Sequence, residues 1–221
     1  MTQITLTLGQ SERVKEVFPG VYVFDTTAAN AICKVAQEYV DSYYDKSMVE
    51  DLSENDKFKL SKMYPKAGSK KSPFVDLEQR ICYTAGLLEK LSGDYHLLHD
   101  LVWDSLLELR AILKEDLGIE YNFRSARQDE LLVYPEGHGF FDFHQDTRHN
   151  GRTATYLFYV NDDYEGGGIE FKNVRDSEGE RVVYKPKKGE LLIMPTTWWT
   201  EHRSLANTGG EKIYILAQVV D

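Results

Sequence analysis

Tyr134-Pro-Glu-Gly-His-Gly-Phe-Phe-Asp-Phe-His144-Gln-Asp146 is the stretch on which the reading of this chain turns. A short apolar run, Glu130–Tyr134, stops at Pro135-Glu-Gly137 and resumes as Phe140–His144. Aromatic residues favour a pleated surface, whereas Pro and Gly break it, so the pattern predicts strand, turn, strand. The second strand ends in a His-x-Asp. Side chains at i and i+2 of an extended segment point the same way, so the His144 imidazole and the Asp146 carboxylate can meet one metal ion. Chance supplies such a pair about once in two chains of this length and composition, and a His–Asp hydrogen bond in a turn explains it equally well.

Further short runs follow at Thr153–Asn161, Gly168–Lys172, Arg181–Tyr184, Glu190–Met194, Glu201–Leu205 and Lys212–Val220. Turn residues separate them, among them Asn161-Asp-Asp163, Gly166-Gly-Gly168 and Gly209-Gly210. With the first two, they make eight predicted strands, which suits a double-sheet jelly roll or a barrel. Upstream the periodicity is helical. Ala28–Tyr43 follows Asp25-Thr26-Thr27 as capping candidates, Leu77–Leu91 repeats the pattern, and Asp94–Leu117 stops at Gly118. The expected class is α+β. Residues 1–221 form a single domain in this reading, with 1–118 a mainly helical support and 119–221 the jelly-roll core. Within the support, residues 50–73 read as a loop carrying Lys57, Lys59, Lys62, Lys66, Lys70 and Lys71. Such a loop is either plainly solvated or a lid.

Composition narrows the partners. The net charge of −10 over 221 residues argues against a broad nucleic-acid footprint or an anionic membrane surface. No apolar run reaches the roughly 18 residues a membrane span needs, and the alternating first ten residues lack a signal-peptide pattern, so the expected location is cytoplasmic. Cys33 and Cys82 are too few for a disulfide framework and read as buried small hydrophobes.

The six histidines are 96, 99, 138, 144, 149 and 202. His96 and His99 have chelating spacing on a helix but no evident third ligand, and read as surface residues. His202, on another predicted strand, can complete a set with His144 and Asp146. Two histidines and one carboxylate on one face of a metal leave three positions open, the arrangement of non-haem Fe(II) oxygen chemistry.

The stretch from Tyr134 to Asp146 resembles the prolyl 4-hydroxylase branch of the Fe(II)/2-oxoglutarate dioxygenases, which carries a Tyr ten residues before the metal-binding His. The resemblance continues, in order, through Arg152-Thr-Ala-Thr155-Tyr-Leu-Phe-Tyr159-Val-Asn161, Gly166-Gly-Gly168-Ile-Glu-Phe171, Val183-Tyr-Lys-Pro186-Lys-Lys-Gly189-Glu-Leu-Leu-Ile-Met-Pro195, His202 and Lys212. It implies a double-stranded β-helix, with His144, Asp146 and His202 holding Fe(II). It also implies that Lys212 pairs with the distal carboxylate of 2-oxoglutarate, and that Tyr134 and Tyr159 hydrogen-bond the same cosubstrate. O2 is the second cosubstrate and ascorbate an accessory reductant. The family's reaction converts 2-oxoglutarate to succinate and CO2 and hydroxylates a C–H bond. Related halogenases lack the carboxylate, so Asp146 favours hydroxylation.

Two departures bear on the substrate. On the last strand Lys212, Tyr214, Leu216 and Gln218 share a face. Leu216 and Gln218 stand where prolyl hydroxylases commonly carry Thr and Trp. After the distal histidine the chain reads Arg203-Ser-Leu-Ala-Asn207 in place of the usual Pro-Val. Trp199 and Gln218 are the candidate substrate contacts. The expected activity is hydroxylation of a prolyl residue in a proline-containing peptide or protein. The alternatives are hydroxylation of a free amino acid or another side chain, and a non-catalytic jelly roll that binds metal or ligand.

Overall fold

The C-terminal run Lys212–Val220 is the strand around which the molecule is organised. A computed structural model describes residues 13–44, 64–65, 80–86, 96–120, 125–146 and 151–220. In chain order the elements are β1 (Val14–Phe18), β2 (Val21–Asp25), α1 (Ala29–Tyr43), β3 (Tyr64–Pro65), β4 (Arg80–Ile81), β5 (Tyr83–Gly86), α2 (His96–Leu117) and β6 (Ser125–Tyr134). There follow β7 (Phe140–His144), β8 (Arg152–Tyr159), β9 (Glu165–Gly166), β10 (Ile169–Arg175), β11 (Arg181–Tyr184) and β12 (Glu190–Pro195). A 3-10 turn at Trp198–Thr200 precedes β13 (His202–Ser204), β14 (Asn207–Gly209) and β15 (Lys212–Val220).

An eight-stranded sheet runs β1-β2-β12-β8-β15-β6-β5-β3, a five-stranded sheet runs β11-β10-β13-β7-β4, and β14 pairs with β9. The strand pairings are antiparallel. The two larger sheets face one another as the jelly roll that the spacing of short runs predicts, and each of the eight predicted runs lies on an observed strand.

Alternation along β15 divides the interior. Ile213, Ile215, Ala217 and Val219 join the core between the eight-stranded sheet and the two helices, with Ile32, Ala36 and Tyr39 of α1 and Leu106, Leu109 and Leu113 of α2. Tyr214 points the other way, into the core between the sheets, with Leu132, Tyr134, Leu157, Tyr159, Phe171, Leu192 and Met194. A strand buried on both faces takes near-continuous apolar sequence, as Lys212–Val220 does apart from Lys212 and Gln218. Each fully buried Leu or Ile contributes about 1.5–3 kcal/mol, so both layers are heavily committed.

Among the described residues of the first 118, strands stand beside the two helices. The hairpin β1–β2 extends the large sheet beside β12, and residues 80–81 and 83–86, inside the predicted helix Leu77–Leu91, are strands. Arg80 pairs with Phe141 of β7, while Tyr83 to Gly86 pair with Val133 to Glu130 of β6. Ladder bonds to two existing strands override a local helical period, and Tyr83 and Thr84 suit the pleat. The lysine-rich stretch 50–73 lies outside the described residues except for Tyr64–Pro65, as do residues 1–10 and His149.

The helix ends show where sequence signals held. Gly118, at φ +66°, closes α2 with the paired bonds Gly118 N→Lys114 O and Ile119 N→Leu113 O, the Schellman arrangement. At α1 the expected capping by residues 25–27 gives way to Ala28 as N-cap, without a side-chain cap bond. Glu108 of α2 holds the turn that leads into the helix. It accepts from Thr26 Oγ1 at 2.8 Å and Thr27 N at 3.2 Å, and its other oxygen accepts from Arg13. No described helix is long and apolar enough to cross a membrane.

Burial acts to raise the Glu108 carboxyl pKa, but the Arg13, Thr26 and Thr27 donors outweigh it and hold the group below its ordinary value. Glu108→Ala should lower the unfolding free energy by about 1–3 kcal/mol at neutral pH, read by urea denaturation. Because the native pKa is depressed, the deficit should persist above the ordinary carboxyl value of 4.5 and fade as pH drops through the lower native one.

Candidate metal centre and anion pocket

The register of two short strands assembles the candidate metal site. His202 of β13 lies directly opposite His144 of β7, and Asp146 follows two residues beyond the end of β7. The ligand atoms of His144, Asp146 and His202 lie within 4.8 Å of one another, and the two imidazoles are 4.4 Å apart between ring centroids.

Both histidines have their tautomer fixed. His144 Nδ1 lies 2.8 Å from Asp142 O, and His202 Nδ1 lies 2.8 Å from Thr200 O. A carbonyl only accepts, so each Nδ1 carries the proton and each Nε2 keeps its lone pair for a metal. Burial, and next the neighbouring His202, push the His144 pKa down to about 3, against the pull of Asp146. His144 therefore stays neutral, as metal ligation requires. For Asp146, burial acts upward, yet the two imidazoles and the Thr155 hydroxyl beside it outweigh that and keep the carboxyl below its ordinary value. Three donors of this kind, pre-oriented and with the right protonation, suit a divalent transition metal, Fe(II) among them.

The large sheet supplies the opposite wall. Gln218, cross-strand from Thr155, is buried and donates from Nε2 to Asp146 Oδ1 at 3.5 Å, while its Oε1 has no partner. The inward orientation expected from alternation thus holds. Further along β15, Lys212 is fully buried. Its Nζ donates to Gly167 O at 2.8 Å and to Ser204 Oγ, and it sits 4.5 Å over the Tyr134 ring. Tyr164 and Tyr214 present their rings at 6.0 and 5.8 Å. Among the described residues no carboxylate pairs with this ammonium. Burial drives its pKa down to about 7, opposed by the Cys82 thiol and assisted by the positive Arg80.

Tyrosines line the space between. Tyr134 Oη accepts from Tyr214 Oη at 2.9 Å and from Arg80 Nη2 at 3.3 Å. With both lone pairs engaged, its own proton is left to donate elsewhere. Tyr159 is buried, stacks on Tyr214 at 5.4 Å, and has its hydroxyl pKa raised well above normal, first by burial and then by Tyr164, so it too remains a neutral phenol. The backbone around Tyr134 is tightly held. Asn207 Nδ2 donates to its carbonyl at 3.0 Å, and a Cβ on Gly139 would stand 2.7 Å from the same carbonyl carbon, so only glycine fits the turn into β7.

Trp199 lies outside this cluster as the structure describes it. It is 41% exposed on the turn before His202, edge-on to Trp198, and close to Gly20 of the β1–β2 turn. His99, read as a surface residue, is half-buried and holds the buried carboxylate of Asp129. Cys33 and Cys82 are buried free thiols.

Two contributors escape a sequence reading. Tyr214 had a signal, since it shares the face of Lys212 two residues on. Arg80 had none, because the helical period over Leu77–Leu91 hides the strand that carries it.

Residues 130–217 match the model of the 2OG-Fe(II) oxygenase superfamily. Over those residues, about two fifths of its length, the chain is similar to that superfamily. That superfamily takes Fe(II) as cofactor and 2-oxoglutarate and O2 as cosubstrates, and the His144, Asp146 and His202 group suits the metal. No curated protein sequence matches the chain. Among solved structures, a Pseudomonas putida prolyl-4-hydroxylase superposes with TM-score 0.62 at 14% identity, covering 91% of this chain and 93% of its own. A Trichoplax adhaerens prolyl hydroxylase, solved with a hypoxia-inducible-factor peptide, gives TM-score 0.64 at 14% identity, covering 91% and 84%. A collagen prolyl hydroxylase of Paramecium bursaria Chlorella virus-1, solved with 2-oxoglutarate, gives 0.52 at 17%, covering 90% and 95%. At these identities the likeness is one of fold, the double-stranded β-helix.

A fully buried ammonium with no carboxylate partner among the described residues carries a desolvation cost in the ligand-free protein. Lys212→Met should leave the ligand-free protein as stable or more stable, by on the order of 1–4 kcal/mol, in chemical denaturation. A large loss of stability would show that the ammonium has a structural partner.

Proposed function

We propose that the protein is an Fe(II)- and 2-oxoglutarate-dependent hydroxylase in which His144, Asp146 and His202 hold the iron, acting on a prolyl residue in a peptide or protein. The observation that carries this is the paired register of His202 with His144, each with Nδ1 tied to a backbone carbonyl, beside the Asp146 carboxylate. When bound, the iron and cosubstrate supply oxidative decarboxylation of 2-oxoglutarate to succinate and CO2 and the oxygen atom added to the substrate.

The chain's own residues bind, orient and exclude water. Lys212 anchors the distal carboxylate at the dry end of the pocket, where a point charge without bulk water binds an anion strongly. Tyr134 directs its one free proton at the same cosubstrate, held as a donor by Tyr214 and Arg80. Tyr159 walls that end and stays protonated. Gln218 fixes the Asp146 carboxylate from the opposite sheet. Fold likeness to three prolyl hydroxylases supports a prolyl substrate, with the unmatched half of the site left to define it.

A second reading has its own observation. The Oε1 of Gln218 is a buried acceptor without a donor, and such groups cost free energy until paired. A prolyl residue within a peptide has no N–H to offer, whereas a free amino acid or an amide-bearing side chain does. Trp199, at the surface near His202, is the candidate contact for the rest of a peptide.

The test is anaerobic binding followed by turnover. The protein with Fe(II) and 2-oxoglutarate should develop a visible charge-transfer absorption and, with O2, release succinate. His202→Ala, His144→Ala or Asp146→Ala should each cut iron affinity by at least about 100-fold, more than loss of an outer partner does. Iron bound at full strength by His202→Ala would overturn the ligand assignment. For the pocket, 2-oxoglutarate binding should take up a proton near and above pH 7, because Lys212 must be charged to pair. Its affinity should fall as pH rises past that value, and Lys212→Met should abolish the dependence. Calorimetry in buffers of different ionisation enthalpy measures that uptake.

A further inference from the structure

Arg80 is a second cation buried beside the site, and nothing in the chemistry above uses its charge. It is 5% exposed. Its guanidinium lies 4.2 Å over the Phe141 ring, which stacks on the His144 imidazole at 3.6 Å. Among the described residues its five N–H donors make one hydrogen bond, from Nη2 to Tyr134 Oη, and buried Nε has no partner. Among the described residues no carboxylate pairs with it. Its bond to the Tyr134 hydroxyl and its stack on Phe141, itself stacked on His144, set it between the candidate metal ligands and the tyrosine cluster. It is also outside the segment that matches the family, since β4 precedes residue 130.

A buried guanidinium cannot discharge, because arginine keeps its proton in proteins, so it requires an anion or a large desolvation cost. The cosubstrate does not supply one to spare. Fe(II), the Asp146 carboxylate, the Lys212 ammonium and a 2-oxoglutarate dianion together sum to no net charge. Arg80 then remains as one uncompensated positive charge at the wall next to the metal. The planar fork of its free N–H groups matches a carboxylate.

We propose that Arg80 is the substrate-binding residue for a carboxylate, so that the substrate hydroxylated at this centre carries an acidic group close to the reacting carbon. This rests on the oxygenase reading above and narrows it. The suitable substrates are a free amino acid, a C-terminal residue, or a residue beside an acidic side chain. The same substrate can give an N–H to Gln218 Oε1 on the far wall.

The experiment uses the full chain with Fe(II) and 2-oxoglutarate under anaerobic conditions, so that binding is read without turnover. The probes are N-acetyl-L-proline and N-acetyl-L-prolinamide, which differ only in the carboxylate, and the corresponding N-acetyl-L-alanine acid and amide. The native chain should bind at least one acid about tenfold or more tightly than its amide. Arg80→Met should erase that preference and Arg80→Lys should retain part of it, with 2-oxoglutarate weakened less than the acids in both variants. Acid and amide behaving alike in both series, including no binding by any probe, overturns the proposal without recourse to a variant. So does Arg80→Met weakening 2-oxoglutarate as much as the acids, which would assign the guanidinium to the cosubstrate. Proline and alanine acids bound equally well would retire the prolyl substrate while leaving the carboxylate receptor in place.

Discussion

The antiparallel pairing of two short strands, with His202 opposite His144, is the constraint on which the site depends. Neither strand is stable alone. β13 has three residues and β7 five, and each is held by neighbours, β10 on one side and β4 on the other. What the pairing fixes is the direction of two lone pairs. Carbonyl groups of Asp142 and Thr200 take the Nδ1 protons, so the backbone of the same loops that position the rings also sets their chemistry. Asp146 needs only to follow two residues later to complete the face.

The second governing fact is the sign of the charge inside the barrel. The chain is acidic overall, yet among the described residues Lys212 and Arg80 are buried beside the candidate site with one carboxylate, Asp146, against them. Water would screen these cations at the surface. Buried, such cations are expensive until an anion pairs with them, a cost that favours anions over neutral molecules of similar shape. Tyrosine hydroxyls, all kept protonated by burial, furnish directional donors without adding charge.

Much of this is legible in the residue order because strands advertise themselves by turn residues and alternation. Lys212–Val220 reads as one strand, and the period of two correctly turns Lys212, Tyr214 and Gln218 inward. The His-x-Asp followed by a distant His202 is legible once the ordered set of motifs is seen. What stays hidden depends on long-range pairing. The segment 77–91 carries helical spacing of Ile81, Ala85, Leu88 and Leu91, and only the waiting edges of β6 and β7 draw residues 80–81 and 83–86 into strands. Arg80 is lost with it. The anchoring of the turn before α1 by Glu108, which lies some eighty residues away, has no local signature either.

The two-sided use of β15 carries a further consequence. Its odd-numbered residues from Ile213 to Val219 seal the helical layer, and its even-numbered ones from Lys212 to Gln218 furnish the cavity. A slip of one residue in pairing would exchange the two sets, driving an ammonium and an amide into the grease under the helices. Such a chain would not fold. Errors of register are therefore eliminated with the misfolded molecules that contain them, and the surviving population is uniform at the cavity. Folding itself acts as the quality control on the chemistry.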